Sequence, residues 1–160
     1  DAVKIYHANF KPSKQLKEPY VMICINVICA QTKEQAQYLA TSELQKFLYL
    51  HRGDDKQLQK PTKDMNSLWE DWEEKSIRHK TRESIWGTPQ FVKERLKSLI
   101  ARTGANEIMI NAMIYNPEDR IKSYELISKV WFEWFTYKKS KLSIINKLVL
   151  RSENVNYTWY

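Results

Sequence analysis

Two asparagines, Asn26 and Asn111, are the residues most open to a chemical reading, because each interrupts a run of apolar residues, Val21 to Ala30 and Ile108 to Ile114. Burying a side-chain amide without partners costs about 1–3 kcal/mol, so each needs a hydrogen-bonding reason to be there. A ligand contact is one reason, and a structural bond to a neighbouring strand or loop carbonyl is another. Neither side chain can serve as acid, base or nucleophile. The histidines, His7, His51 and His79, lie far apart, and no pair has the spacing of a helical metal site or a Cys/His knuckle. No metal is therefore expected. A Gly-x-Ser-x-Gly elbow, a Walker loop and a Gly-x-Gly-x-x-Gly motif are all absent, and Gly53, Gly87 and Gly104 cannot build a glycine-rich phosphate cradle. Arg52-Gly53-Asp54 reads as a helix end and a turn. In Glu70-Asp71-Trp72-Glu73-Glu74 adjacent acids point around a helix instead of converging, which reads as a solvated face. Cys24 and Cys29 fall on opposite faces of one strand, so they do not bridge, and two buried thiols in a cytoplasmic protein are expected.

The elements that must position these residues follow from periodicity. Val21 to Ala30 is almost continuously apolar and β-branched, the pattern of a strand covered on both faces in a parallel sheet. Thr32 can cap the next helix, with Gln35 completing a capping box, and Ala36, Leu39, Ala40, Leu44, Phe47, Leu48 and Leu50 recur at helical spacing up to Arg52-Gly53. Asp54 to Thr62 is polar and reads as a surface excursion. Met65 to Arg82 reads as a mostly solvated helix with a partial stripe of Leu68, Trp69, Trp72 and Ile77. Thr88 and Pro89 open another helix as N-cap and N1 proline, Val92, Leu96, Leu99 and Ile100 line it, and Gly104 closes it. A second strand spans Glu107 to Ile114. Asn116-Pro117-Glu118-Asp119 starts a third good helix, carrying Ile121, Tyr124, Leu126, Ile127 and Val130. Strand, helix, helical insertion, helix, strand and helix in that order predict an α/β fold with parallel strands and right-handed crossovers. In such folds ligands sit at the carboxyl ends of strands, here Asn26 to Gln31 and Asn111 to Asn116.

Composition bounds the rest. The 160 residues fit one domain, and 42% hydrophobic residues can build a core. A complete (β/α)₈ barrel needs about 200–250 residues, more than this chain has. The longest uncharged run, Tyr20 to Thr32, is too short and too polar to span a bilayer. Of the net charge of +7, residues 131–160 supply +3 (five Lys or Arg against two Glu), together with eight of the 20 aromatics. Interleaved bases and aromatics can bind single-stranded nucleic acid or a membrane surface. Here the bases form no long cluster, so neither partner is expected.

Tyr6-His7-Ala8-Asn9-Phe10-Lys11-Pro12-Ser13 through Glu18-Pro19-Tyr20-Val21-Met22 resembles the carboxyl third of the bacterial luciferase-like, flavin-dependent monooxygenases. Further blocks match in order: Asn26-Val27-Ile28 with Ala30; Tyr38-Leu39-Ala40-Thr41-Ser42; Phe47-Leu48 and Arg52-Gly53; Met65 and Leu68-Trp69; Gly87-Thr88-Pro89 with Val92-Lys93. Thr103-Gly104-Ala105-Asn106-Glu107-Ile108-Met109-Ile110 comes next, and Ile114-Tyr115, Arg120 and Ser123-Tyr124-Glu125-Leu126 complete a span of about 125 residues.

The resemblance implies the carboxyl-terminal part of a (β/α)₈ TIM barrel, strands 7 and 8 with a helical insertion between them, incomplete in this chain. Residues 1–131 would form this portion, and 132–160 a divergent basic aromatic tail. It implies reduced FMN, supplied by a separate reductase or pool, which activates dioxygen to oxygenate a small organic substrate, and it allows a homo-oligomer. On this reading the flavin does the oxygen chemistry while the protein supplies a dry cavity and orientation. Flavin or substrate contacts would fall on Asn26, Asn111 and Tyr115, with Arg120 as an anion contact near a helix amino end. Tyr115-Asn116 departs from the family's usual aromatic or aliphatic residue followed by Asp. Two strands cannot close a barrel, so little catalysis is expected of the chain alone, with strand edges left unpaired. The competing expectations are a non-catalytic flavoprotein relative and a binding module that recruits nucleic acid or membrane through its basic tail.

Overall fold

The structure, a computed structural model, describes residues 2–138, 147–152 and 155–157, with side chains described for residues 2–132. The apolar run at 21–30 forms β1 (Met22–Cys29), and the Thr32 hydroxyl accepts from the Gln35 amide to start α2 (Lys33–His51). Among the described residues only this forward half of the expected capping box is made. Then come α3 (Asp71–Lys80), β2 (Ile85–Gly87), α4 (Pro89–Thr103), β3 (Glu107–Asn111) and α5 (Pro117–Lys138). A short helix, α1 (Ala2–Asn9), with no buried residue precedes β1, and two strands (Lys147–Ser152 and Val155–Tyr157) follow α5.

The caps expected at the helix ends are made. Thr88 accepts from the Phe91 amide with Pro89 at N1, and Asn116 accepts from the amides of Glu118 and Asp119. Gly104 ends α4 at φ 65°, a left-handed conformation that costs any side chain-bearing residue about 1 kcal/mol or more.

The sheet runs in the order β2, β1, β3 and then the two strands after α5. The first four of these pair in parallel, and the last is antiparallel. Its hub is β1, whose Met22 to Asn26 pair with β3 and whose Val27 to Cys29 pair with β2. Ile25, Val27, Ile108 and Ile110 pack against Val92, Leu96 and Leu99 of α4 and Ile127 and Trp131 of α5. On the opposite face Ile28, Ala30, Ala112 and Ile114 pack against Ala36, Leu39 and Ala40 of α2. Two hydroxyls of α5 lock it to the strand ends. Buried Ser123 accepts from the Cys29 amide at 2.8 Å, and Tyr124 accepts from the Ala112 amide at 3.1 Å.

Several expectations are corrected. Strand β2 was not predicted, because three residues carry no period and its pairing with Val27 to Cys29 makes it a strand. With it, both edges of β1 are paired, and β3 pairs on both sides as well. The helix expected over Met65 to Arg82 covers only Asp71–Lys80, since the Glu73 side chain reaches back to the Glu70 amide at 2.9 Å and starts the helix there. Burial of β1 on both faces holds only for its carboxyl half. Met22 is 53% exposed and Cys24 is exposed, because the apolar packing of α2 against this face begins only at Ile28. The expectation of two buried thiols is thus half met, by Cys29. Trp72 and Ile121, assigned to apolar stripes, lie on the surface. The side chains of 133–160, which carry the expected basic aromatic tail, lie outside the described residues.

Candidate functional site

Parallel pairing puts Asn26 and Asn111 opposite each other, and their amides join directly: Asn111 Nδ2 donates to Asn26 Oδ1 at 3.1 Å. Asn26 Nδ2 in turn donates to Glu43 Oε1 at 2.9 Å. Glu43 lies on the same inward stripe of α2 as Ala36, Leu39 and Ala40, so the helix carries its carboxyl under the sheet, where it is 0% exposed. Two further donors reach it from β2 and the turn before it, Ser84 Oγ to Oε1 at 2.6 Å and Trp86 Nε1 to Oε2 at 3.0 Å. Three elements thereby converge on one carboxylate.

No Lys or Arg pairs with Glu43 among the described residues. Burial pushes its carboxyl above the usual range, and the hydrogen bonds from Ser84, Asn26 and Trp86 oppose that shift in part. The group is held by neutral donors alone, an arrangement that orients amides firmly. Asn26 and Asn111 are half-buried on the sheet face that carries Met22 and Cys24, so the row runs from the buried carboxyl to the accessible part of that face.

A second buried carboxyl does structural work. Arg52, the C-cap of α2, grips Glu73 with Nε to Oε1 and a terminal nitrogen to Oε2, both at 2.7 Å, and also donates to the Leu68 carbonyl. The guanidinium holds the Glu73 carboxyl down at about 2. Glu73 is 3% exposed, which corrects the reading of its acidic cluster as wholly solvated. This clamp fixes α3 to the end of α2, with Leu44, Leu48, Met65, Trp69 and Ile77 packed beneath it.

Of the four candidate residues, the structure brings together Asn26 and Asn111. Tyr115 is 43% exposed and faces Lys60, whose Nζ stands 6.0 Å from the ring centroid. Arg120 lies in the first turn of α5, its amide donating to the Asn116 carbonyl. No described hydrogen bond or ring contact ties either to the asparagine row. Sequence reasoning missed Glu43, Ser84 and Trp86. The available signal was an acidic residue on the inward stripe of α2, one turn after Leu39 and Ala40. Among the described residues, no three His, Cys, Asp or Glu gather as metal ligands, and no helix is long and apolar enough to cross a membrane.

The fold and site define an α/β protein in which a buried carboxyl orients an amide row on a parallel sheet. No family profile matches the chain. The uncharacterized protein YvbT of Bacillus subtilis (strain 168) is 40% identical over 130 residues, 81% of this chain and 39% of that protein. A luciferase-like monooxygenase of Escherichia coli (strain K12) is 37% identical over 129 residues, 81% of this chain and 38% of that protein. The crystal structure of apo-MsnO8 superposes with a TM-score of 0.63 at 22% identity, covering 82% of this chain and 40% of that one. The chain is a relative of the luciferase-like monooxygenases and spans about two fifths of their length.

Proposed function

We propose that the chain is the carboxyl-terminal portion of a flavin-dependent oxidoreductase of the luciferase-like type, acting with reduced FMN and dioxygen on a small organic substrate in the cytoplasm. Residues 1–131 supply the family-like part of the barrel and 132–160 the divergent tail. The observation that carries this reading is the 37% identity to a luciferase-like monooxygenase, in a chain whose parallel strands bear an oriented amide row.

The residues present fit an isoalloxazine. Its edge alternates hydrogen-bond donors and acceptors, and Asn111, held by Asn26, presents an amide of matching chemistry on the accessible face. When bound, reduced FMN supplies the electrons that activate dioxygen. The chain's own part is binding and orientation. Asn111 holds a polar edge of the ligand, and Asn26 with Glu43 behind it keeps that amide in one sense. Tyr115 and Arg120 stand at the carboxyl end of β3 and the amino end of α5, where substrate or an anionic group would approach.

The test is flavin fluorescence quenching with the chain alone and with the chain mixed with the amino-terminal portion of the Escherichia coli relative. Binding weaker than micromolar for the chain alone and a marked gain on mixing are expected, with dioxygen uptake from chemically reduced FMN only in the mixture. Micromolar binding by the chain alone overturns the partial-barrel reading. Absence of flavin binding in the mixture overturns the flavin reading. Steep salt dependence of binding to a generic polyanion, lost on deleting 132–160, would favour the binding-module reading instead.

A further inference from the structure

The amide row has a direction. Resting on the reading above for what approaches it, we propose that Glu43 is a positioning residue that sets the hydrogen-bond sense of Asn26 and Asn111, so that Asn111 offers its carbonyl oxygen to an N–H or O–H donor on the ligand.

The indole N–H of Trp86 can only donate, so Glu43 Oε2 must accept. Oε1 receives the Asn26 amide and the Ser84 hydroxyl. An ionised carboxylate only accepts, so Asn26 must turn its NH₂ toward Glu43 and its Oδ1 toward β3. On a protonated Oε1 the sense survives when the proton goes to the Ser84 hydroxyl and reverses when it goes to Asn26, so it is the ionised carboxylate that fixes the row. Asn111 must then turn its own NH₂ to Asn26 Oδ1, as it does at 3.1 Å. The acceptor that remains for a ligand is Asn111 Oδ1, which accepts from no described residue.

An amide on its own has no such preference, because its oxygen and nitrogen ends are nearly the same shape. The sense is imposed from a carboxyl two residues away in the row and fully buried. The surroundings keep the end of the row accessible. Asn26 and Asn111 share a face with Met22, which is 53% exposed, and with the exposed Cys24. Arg151 is the next residue in register beyond Asn111.

Two small probes that differ by one donor test the inference. N-methylacetamide carries an N–H, and N,N-dimethylacetamide does not. Each is titrated into the isotope-labelled chain while the side-chain signals of Asn111 and Asn26 are followed by NMR, with the Trp86 indole N–H as a check that the network is intact. N-methylacetamide is expected to shift the Asn111 signals with a half-saturation concentration at least about threefold below that of dimethylacetamide, the worth of one neutral hydrogen bond. Glu43→Gln, which keeps its oxygen toward the Trp86 N–H and so turns its NH₂ to Asn26, reverses the row and is expected to erase that preference, a change that a purely structural role would not produce. Asn111→Leu, read at the side-chain signals of the neighbouring Asn26, is expected to abolish it. Equal effects of the two probes, no shift with either, or a full preference retained in folded Glu43→Gln would each overturn the inference. Should Glu43→Gln fail to fold, the wild-type comparison and Asn111→Leu still decide. Preference without flavin binding refutes the flavin reading alone, and flavin binding without preference refutes this inference alone.

Discussion

Replacing Glu43 by Ala removes the acceptor for three donors at once. Asn26, Ser84 and Trp86 are each half-buried, so water reaches them in part, and each loss costs about 1 kcal/mol, the low end for an unsatisfied group. Removing the buried carboxyl also relieves its desolvation, which offsets part of the loss and brings the net to about 2–3 kcal/mol. With a urea slope of about 2 kcal/mol per molar for a chain of this size, the unfolding midpoint falls by about 1 M, read from tryptophan fluorescence. Glu43→Gln keeps the volume and separates charge from shape. Because burial raises the Glu43 carboxyl in the folded state above its ordinary value of 4.5, the folded protein holds the proton more tightly than the unfolded chain. The stability linked to that proton is fully present below pH 4.5 and is lost as pH rises through the folded value. The cost of Glu43→Gln is therefore largest at acid pH and shrinks as pH rises. A cost that grows with pH, or an Ala variant within about 0.5 kcal/mol of wild type, the range of an ordinary surface substitution, would refute the reasoning.

Three other outcomes follow from the same structure. Glu73 behaves oppositely to Glu43. Held down to about 2 by Arg52, it contributes stability present above pH 4.5 and lost as pH falls toward 2, so Glu73→Gln lowers the melting temperature at pH 7 and flattens the acid limb of a thermal melt series. Gly104→Ala places a side chain at φ 65° and destabilises by about 1 kcal/mol, measurable by urea unfolding, with no change in the slope. Cys24 reacts with an aromatic disulfide reagent in the folded protein, whereas Cys29, its thiol pushed up to about 12 by burial, reacts only on unfolding. Two fast equivalents of released thiolate would contradict the burial of Cys29.

The elements with strong local signals are those the sequence predicts. Thr32, Thr88 with Pro89, Gly104, and Asn116 with Pro117 all mark helix ends where expected, because capping is a contact between residues a few positions apart. Strand β2 and the start of α3 are poorly legible. The first exists through its pairing with β1, and the second is a local cap built from Glu70 and Glu73, two members of an acidic run that reads as a solvated face. Asn26 and Asn111 are legible as misplaced polar residues in apolar strands. Their partners are not, since Glu43 lies in a different element and Trp86 in a strand too short to recognise.

What the sequence by itself determines is the order of strands and helices, their caps, the kinship to luciferase-like monooxygenases, and that two amides must find partners. Those features are local, or they are patterns carried along the chain. Only the tertiary structure decides that the amides partner each other and a carboxyl from α2, that Glu73 is clamped rather than solvated, and that half of β1 faces outward. The reason is the same in each case. A buried polar group is satisfied by whatever donor or acceptor the fold brings within about 3 Å, and nothing in a linear pattern records which distant residue that is.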